Sequence, residues 1–136
     1  MTLADIRDYI ASLNLADHVY MAKLPDKQKH SIGVYNSKHQ YSYKTAIGGT
    51  ALESYGTKYV TLLVHWDESP RETEDAATAL FEAIQKAEEV AINDATIKFI
   101  QPLYEIQDVG TDDNGIYEMV IEAAVIYERR KQDGEI

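Results

Sequence analysis

The chain contains no cysteine in its 136 residues, so neither disulfides nor thiolate chemistry contributes to its fold or to a site. That suits a reducing cytoplasm. No apolar run approaches the roughly 18 residues a membrane helix needs, and Asp5, Arg7 and Asp8 interrupt any signal-like stretch at the start. There is no G-x-S-x-G nucleophile elbow, and no Gly-Lys-Ser/Thr follows Gly48-Gly49 to make a phosphate loop. The four histidines, His18, His30, His39 and His65, never take the close spacing of a local zinc pair; His30 and His39 could meet only across a ribbon. Gly110 to Gly115 resembles a calcium loop, but Gly110 and Ile121 stand where a carboxylate and a glutamate are required. Internal repeats and low-complexity tracts are missing too. No catalytic, cofactor-binding or metal-binding residue is therefore assigned, and the chain is not expected to be an enzyme.

Basic residues are scarce in the second half. From Met1 to Trp66 there are seven Lys/Arg against five Asp/Glu, whereas from Asp67 onward there are six against eighteen, which together give the net charge of −10. An excess of this sign repels nucleic acid and anionic membrane, so neither is an expected partner. An acidic surface that keeps the protein soluble accounts for the charge by itself. The functional alternative is a protein that repels DNA, or one that pairs an acidic face with a basic one.

What is present is a clear alternation of periods. Thr2 starts a first helix with Asp5 near the positive end of its dipole, Leu3, Ile6, Ile10 and Leu13 share one face, and Asn14 ends it. His18 to Leu24 and Ser31 to Tyr35 are extended, and the turn-rich link from Pro25 to Lys29 predicts that they form a hairpin. A strand follows through Tyr59, Val60, Leu62, Leu63, Val64 and Trp66. Ser69-Pro70-Arg71-Glu72 then switches the pattern to helix, with Ser69 as cap, Pro70 where a missing N–H costs nothing, and Glu72 completing a capping box. The stripe of this helix is Ala76, Ala77, Leu80, Phe81, Ile84 and Ala87, and Asn93-Asp94 closes the region. Thr96 to Val109 and Ile116 to Tyr127 predict two long strands joined by a turn at Asn114-Gly115, with Pro102 marking an edge or a bulge. Along the last strand Tyr117, Met119, Ile121, Ala123, Val125 and Tyr127 share one face. Glu118, Glu122 and Glu128 punctuate the other, which is left to solvent, a neighbouring subunit or a lumen.

Asn36 to Tyr55 break this regularity with tyrosines, Gly48-Gly49 and little aliphatic content. A polar stretch of such length inside a small domain is a functional loop or protruding ribbon. Tyrosines supply contact area at low entropic cost. Lys38, Tyr41, Tyr43, Lys44 and Tyr55 are accordingly the candidate interaction residues, as anchors and orienting charges for a neighbouring subunit or another assembly partner. The expected organisation is one domain over 1–130, a projecting loop or ribbon at 36–56, and a flexible tail at 131–136. Its fold class is α+β, with an antiparallel or mixed sheet of four or five strands and both helices on one face.

The segment IGGTALESYGTKYVTLLVHWDESPRETEDAATALFEAI resembles the central region of the minor capsid and tail-completion proteins of tailed bacteriophages. The likeness rests on Ile47-Gly48-Gly49, the strand ending in His65-Trp66, and Arg71-Glu72-Thr73-Glu74 opening an alanine-rich helix. The wider order of helix, hairpin, long strand, helix and two-strand hairpin is similar to the tail terminator fold. The resemblance implies a structural virion protein with no active site to transfer, made in the bacterial host cytoplasm. It implies self-association into a ring, typically a hexamer, that caps the major tail tube protein and presents a surface to the head connector protein. Two alternatives stay open: a head-completion or connector adaptor, and a small-molecule-binding α+β domain.

Overall fold

A computed structural model describes residues 1–22, 28–38 and 55–128. Along the chain lie α1 (Leu3–Ser12), β1 (His18–Met21), β2 (Ser31–Asn36), β3 (Tyr55–His65), α2 (Pro70–Gln85), β4 (Glu88–Ile92), β5 (Ala95–Pro102), β6 (Gln107–Thr111) and β7 (Tyr117–Glu128). The strands form one mixed sheet of order β1-β2-β3-β7-β5-β4, and β6 pairs with β7.

The two helices begin where local chemistry dictates. Thr2 accepts the Asp5 N–H while the Asp5 carboxylate takes the Thr2 N–H, a reciprocal capping box. At α2 only half of the expected box forms. The Ser69 hydroxyl accepts the Glu72 N–H, but the Ser69 N–H is taken by Asp67 Oδ1 at 2.9 Å. Asp67, two residues before the cap, is closer than Glu72 and frees that side chain for another role.

Strand periodicity then builds the core. Val34 lies opposite Leu62, and Leu62 opposite Ile121. One register step along, Ile32, Val64 and Met119 repeat the row. These side chains share one face and one apolar cluster with Ile6 and Ile10 of α1 and with Ala77, Leu80 and Ile84 of α2. Both helices thus pack over a single core, as the helical stripes required.

Four expectations about strands need correction. β1 and β2 do not form a hairpin: they are parallel, with His18 opposite Ser31 and Met21 opposite Val34. A turn-rich link signals that the chain reverses, but a connection over 22–30 is long enough to return it to the start of the neighbouring strand. Glu88–Ile92 is a strand where only a closing region was expected, because five residues of mixed polarity at a sheet edge give almost no period-2 signal. Asn93-Asp94 is the turn joining it to β5, with Asn93 at φ 54°. The long strand over Thr96 to Val109 is two strands: β5 ends at Pro102, and β6 resumes the ladder along the same side of β7. Pro102 sits beyond the last residue of β5 that β4 covers, where a missing N–H leaves no ladder bond broken. The sheet therefore has seven strands rather than four or five.

Candidate interaction surfaces

β2 and β7 end, and β3 begins, at one pole of the domain; the opposite ends of these strands and the start of α2 form the other. At this second pole His30, held at φ 55° by its N–H bond to the Trp66 carbonyl, places its ring 4.7 Å from the Trp66 ring. Its Nε2 lies 3.1 Å from Asp67 Oδ2 and its Nδ1 3.4 Å from Asp17 Oδ2. One histidine thereby ties the approach to β1, the entry to β2 and the start of α2 together. The hydrogen bond to Asp67, outweighing desolvation and helped by Asp17, raises the His30 pKa above its ordinary value. Burial pushes Asp67 up, but the Ser69 N–H, His30 and Glu72 together hold its carboxyl below the usual range. Glu72 is raised by sharing a hydrogen bond with Asp67. Lys29 and Glu68 pair at 2.6 Å on the rim of the same cleft.

The pH dependence follows by sign. A histidine raised on folding stabilises fully below its unfolded value near 6.5 and loses that contribution as pH climbs through the raised value. A depressed aspartate stabilises above about 3.8 and loses its contribution as pH falls through the lowered value. The clasp is therefore complete in mildly acidic solution. Melting temperatures of the protein and of His30→Gln should differ most between about pH 4 and 6.5 and converge toward alkaline pH. A constant difference from pH 5 to 9 would show that the ring acts by packing alone. The effect is modest, because the imidazole is partly exposed.

The helix-free face of the sheet carries two further polar arrangements. His65 is buried, with Nδ1 2.8 Å from Glu118 Oε2 and Nε2 3.7 Å from Asp112 Oδ2. The other Asp112 oxygen accepts the Asn114 and Ile116 N–H groups, so the β6–β7 turn is an ordinary hairpin braced by its own aspartate. Glu122 is 6 % exposed and accepts hydrogen bonds from the hydroxyls of Thr61, its cross-strand neighbour, and Ser37. The glutamates expected to punctuate a face left to solvent, a neighbouring subunit or a lumen are thus partly committed: Glu118 and Glu122 bind groups of their own chain. Sequence reasoning passed over Asp67, and placed Glu122 on the outer face without foreseeing its burial. A lone acid inside an apolar strand, and an acid two residues before a helix cap, were the available signals.

At the first pole, Tyr55, Phe99 and Ile126 line a groove of about 650 Å³ with Lys86, Glu89 and Lys98 on its rim. Lys98 pairs with Glu89 at 2.5 Å and stands 5.6 Å from the centre of the Tyr55 ring. Of the candidate interaction residues, Tyr55 is thus at the groove and Lys38 is exposed just after β2, at the same pole. Tyr41, Tyr43 and Lys44 lie outside the described residues, as do His39, most of the expected ribbon at 36–56 and the tail at 131–136. Asn36, Tyr55 and Gly56 belong to strands.

These features define a small α+β structural domain whose polar clusters lock strand ends together. The chain belongs to a bacteriophage family: the family model described as bacteriophage tail terminator protein matches residues 4–129. It is thus a structural, tail-related phage protein and a virion component. A comparison with curated proteins finds no match.

Proposed function

We propose that this protein terminates the tail tube at the head–tail junction, as a ring of identical subunits, a hexamer on the family pattern, joining the major tail tube protein to the head connector protein. The observation that carries this reading is the family match over almost the whole chain. The fold agrees with it: a rigid sheet with a single core supplies a wedge, and the acid-rich second half supplies a surface that does not grip DNA. Assembly takes place in the host cytoplasm before the virion is complete. The stretch around Lys38, Tyr41, Tyr43, Lys44 and Tyr55 supplies contacts to a neighbouring subunit or to the tube. Ordering such contacts costs entropy, so free subunits associate weakly and the ring forms on its template.

Two measurements test this. Tail tubes grown with the protein should stop at a uniform length and show a ring at one end by electron microscopy, whereas tubes grown without it should run on. Removing Tyr41 to Gly49 should leave circular dichroism and melting of the subunit close to unchanged while abolishing rings and length control. Tubes of equal length with and without the protein would overturn the terminator role. A deletion that unfolds the domain would place the segment in the core instead.

A further inference from the structure

The first helix touches both edges of the sheet. β1 and β4 stand at opposite ends of the strand order, and among the described residues each has a single strand partner, β2 and β5. Laid flat, successive strand spacings of about 4.8 Å would hold them roughly 24 Å apart. An α-helix with its side chains is only about 10–12 Å across. Yet α1 packs against β1, β2 and β4, so the sheet curls until its two edges flank one helix. On one side His18 and Ala22 turn their N–H groups to the His30 and Val34 carbonyls, and alternation points the Val19 carbonyl away from β2. Arg7 Nε donates to that outward carbonyl at 3.0 Å. On the other side Asn93, in the turn between β4 and β5, donates its amide to Asp5 Oδ1 at 2.8 Å and to Asp8 Oδ2 at 3.1 Å. Arg7 closes the path with a 3.0 Å bond to Asp8 Oδ1. An unbroken chain of hydrogen bonds thus runs from Val19 through Arg7 and Asp8 to Asn93, one sheet edge to the other. The Asn93 amide first, and Arg7 after it, hold the Asp8 carboxyl below the usual carboxylate range.

We infer that α1 is a strap across the seam of the curled sheet, coupling β1 to the β4–β5 hairpin so that the two edges loosen and close as one unit. Ile6 and Ile10 anchor the strap in the core, while its polar side chains reach out to either edge. A ten-residue helix moves as a rigid body, so losing its hold on one edge alters the geometry of its hold on the other. Asp8 makes the coupling direct, because its two oxygens serve Arg7 on one side and Asn93 on the other. Edge strands sit at the low end of local stability, and an opened edge is a template for pairing with other chains. One short helix guards both edges at once. The strap belongs to the single chain and does not depend on ring formation.

Hydrogen exchange read by mass spectrometry on the full chain tests the coupling. Asn93→Gly removes the amide but keeps the left-handed turn, where φ is 54°. Arg7→Ala removes the guanidinium and favours the helix. Circular dichroism confirms that each variant is folded. Asn93→Gly should speed exchange about fivefold in β1 as well as in β4, although the Asn93 amide reaches α1 and not β1. Arg7→Ala should speed exchange in β4 as well as in β1, although the guanidinium bonds to Val19 and Asp8 and not to β4. The double variant should gain little beyond the larger single effect, because both changes cut the same chain of bonds. Exchange in β3 and β7 should match the unmodified protein. Effects that are absent or confined to the altered edge would overturn the strap. An equal rise in β3 and β7 would overturn it too, because that reports global loosening rather than a coupled seam.

Discussion

Ile121→Ala should destabilise the protein by about 2–5 kcal/mol, a large part of the ~5–15 kcal/mol that holds a domain of this size. Ile121 is fully buried on β7, the strand that β3, β5 and β6 all pair with, and it faces Leu62 in the layer beneath both helices. Truncation removes apolar contacts and leaves a cavity that two helices and four strands cannot close without shifting together. Urea unfolding should show a lower midpoint with an unchanged slope. A loss under 1 kcal/mol would mean that the helices relax into the gap and that the core is looser than its geometry.

Thr61→Val is expected to cost about 1–3 kcal/mol, although it preserves shape and adds apolar character. Its hydroxyl donates to the nearly buried Glu122 carboxylate, and valine leaves that charge with fewer donors in a poorly hydrated place. The companion variant Thr61→Val with Glu122→Leu should recover most of the loss, because the buried charge goes with its donor. Ser37, a second hydroxyl on Glu122, is only half buried and can turn to water. Equal stability of the single and double variants would show that Glu122 is satisfied without Thr61.

Much of the fold was legible before the structure. The helix start at Thr2 with Asp5 in its first turn, the stop at Asn14, the Ser69-Pro70 entry and the inward face of β7 were all local signals, and each appears in place. What failed was non-local. Whether β1 meets β2 parallel or antiparallel depends on where a nine-position link delivers the chain, and its composition does not encode that. β4 acquires its strand only by lying against β5. The break at Pro102 was legible as an anomaly, but not that both halves would stay on one side of β7. The same limit applies to the surfaces. Lys38 and Tyr55 stood out as polar or aromatic in an aliphatic-poor stretch, whereas the groove beside Tyr55 also needs Phe99, Ile126 and Lys86, which the sequence keeps far apart. The His30 clasp likewise joins Asp17, Asp67 and Trp66 across three separate segments.

The longest ladder of the sheet, β3 with β7, runs from Tyr55 opposite Glu128 to His65 opposite Glu118 and so joins the middle of the chain to its last described strand. Closing so wide a loop is slow compared with forming α2 or the β4–β5 hairpin. Until β7 arrives, β3 has β2 on one side only, the core lacks its central row, and both β5 and β6 lack the strand that holds them flat. A chain still leaving the ribosome can therefore display helices and a hairpin but neither the groove beside Tyr55 nor the paired β6. The ring contacts proposed above would then be open only to chains whose synthesis has passed β7.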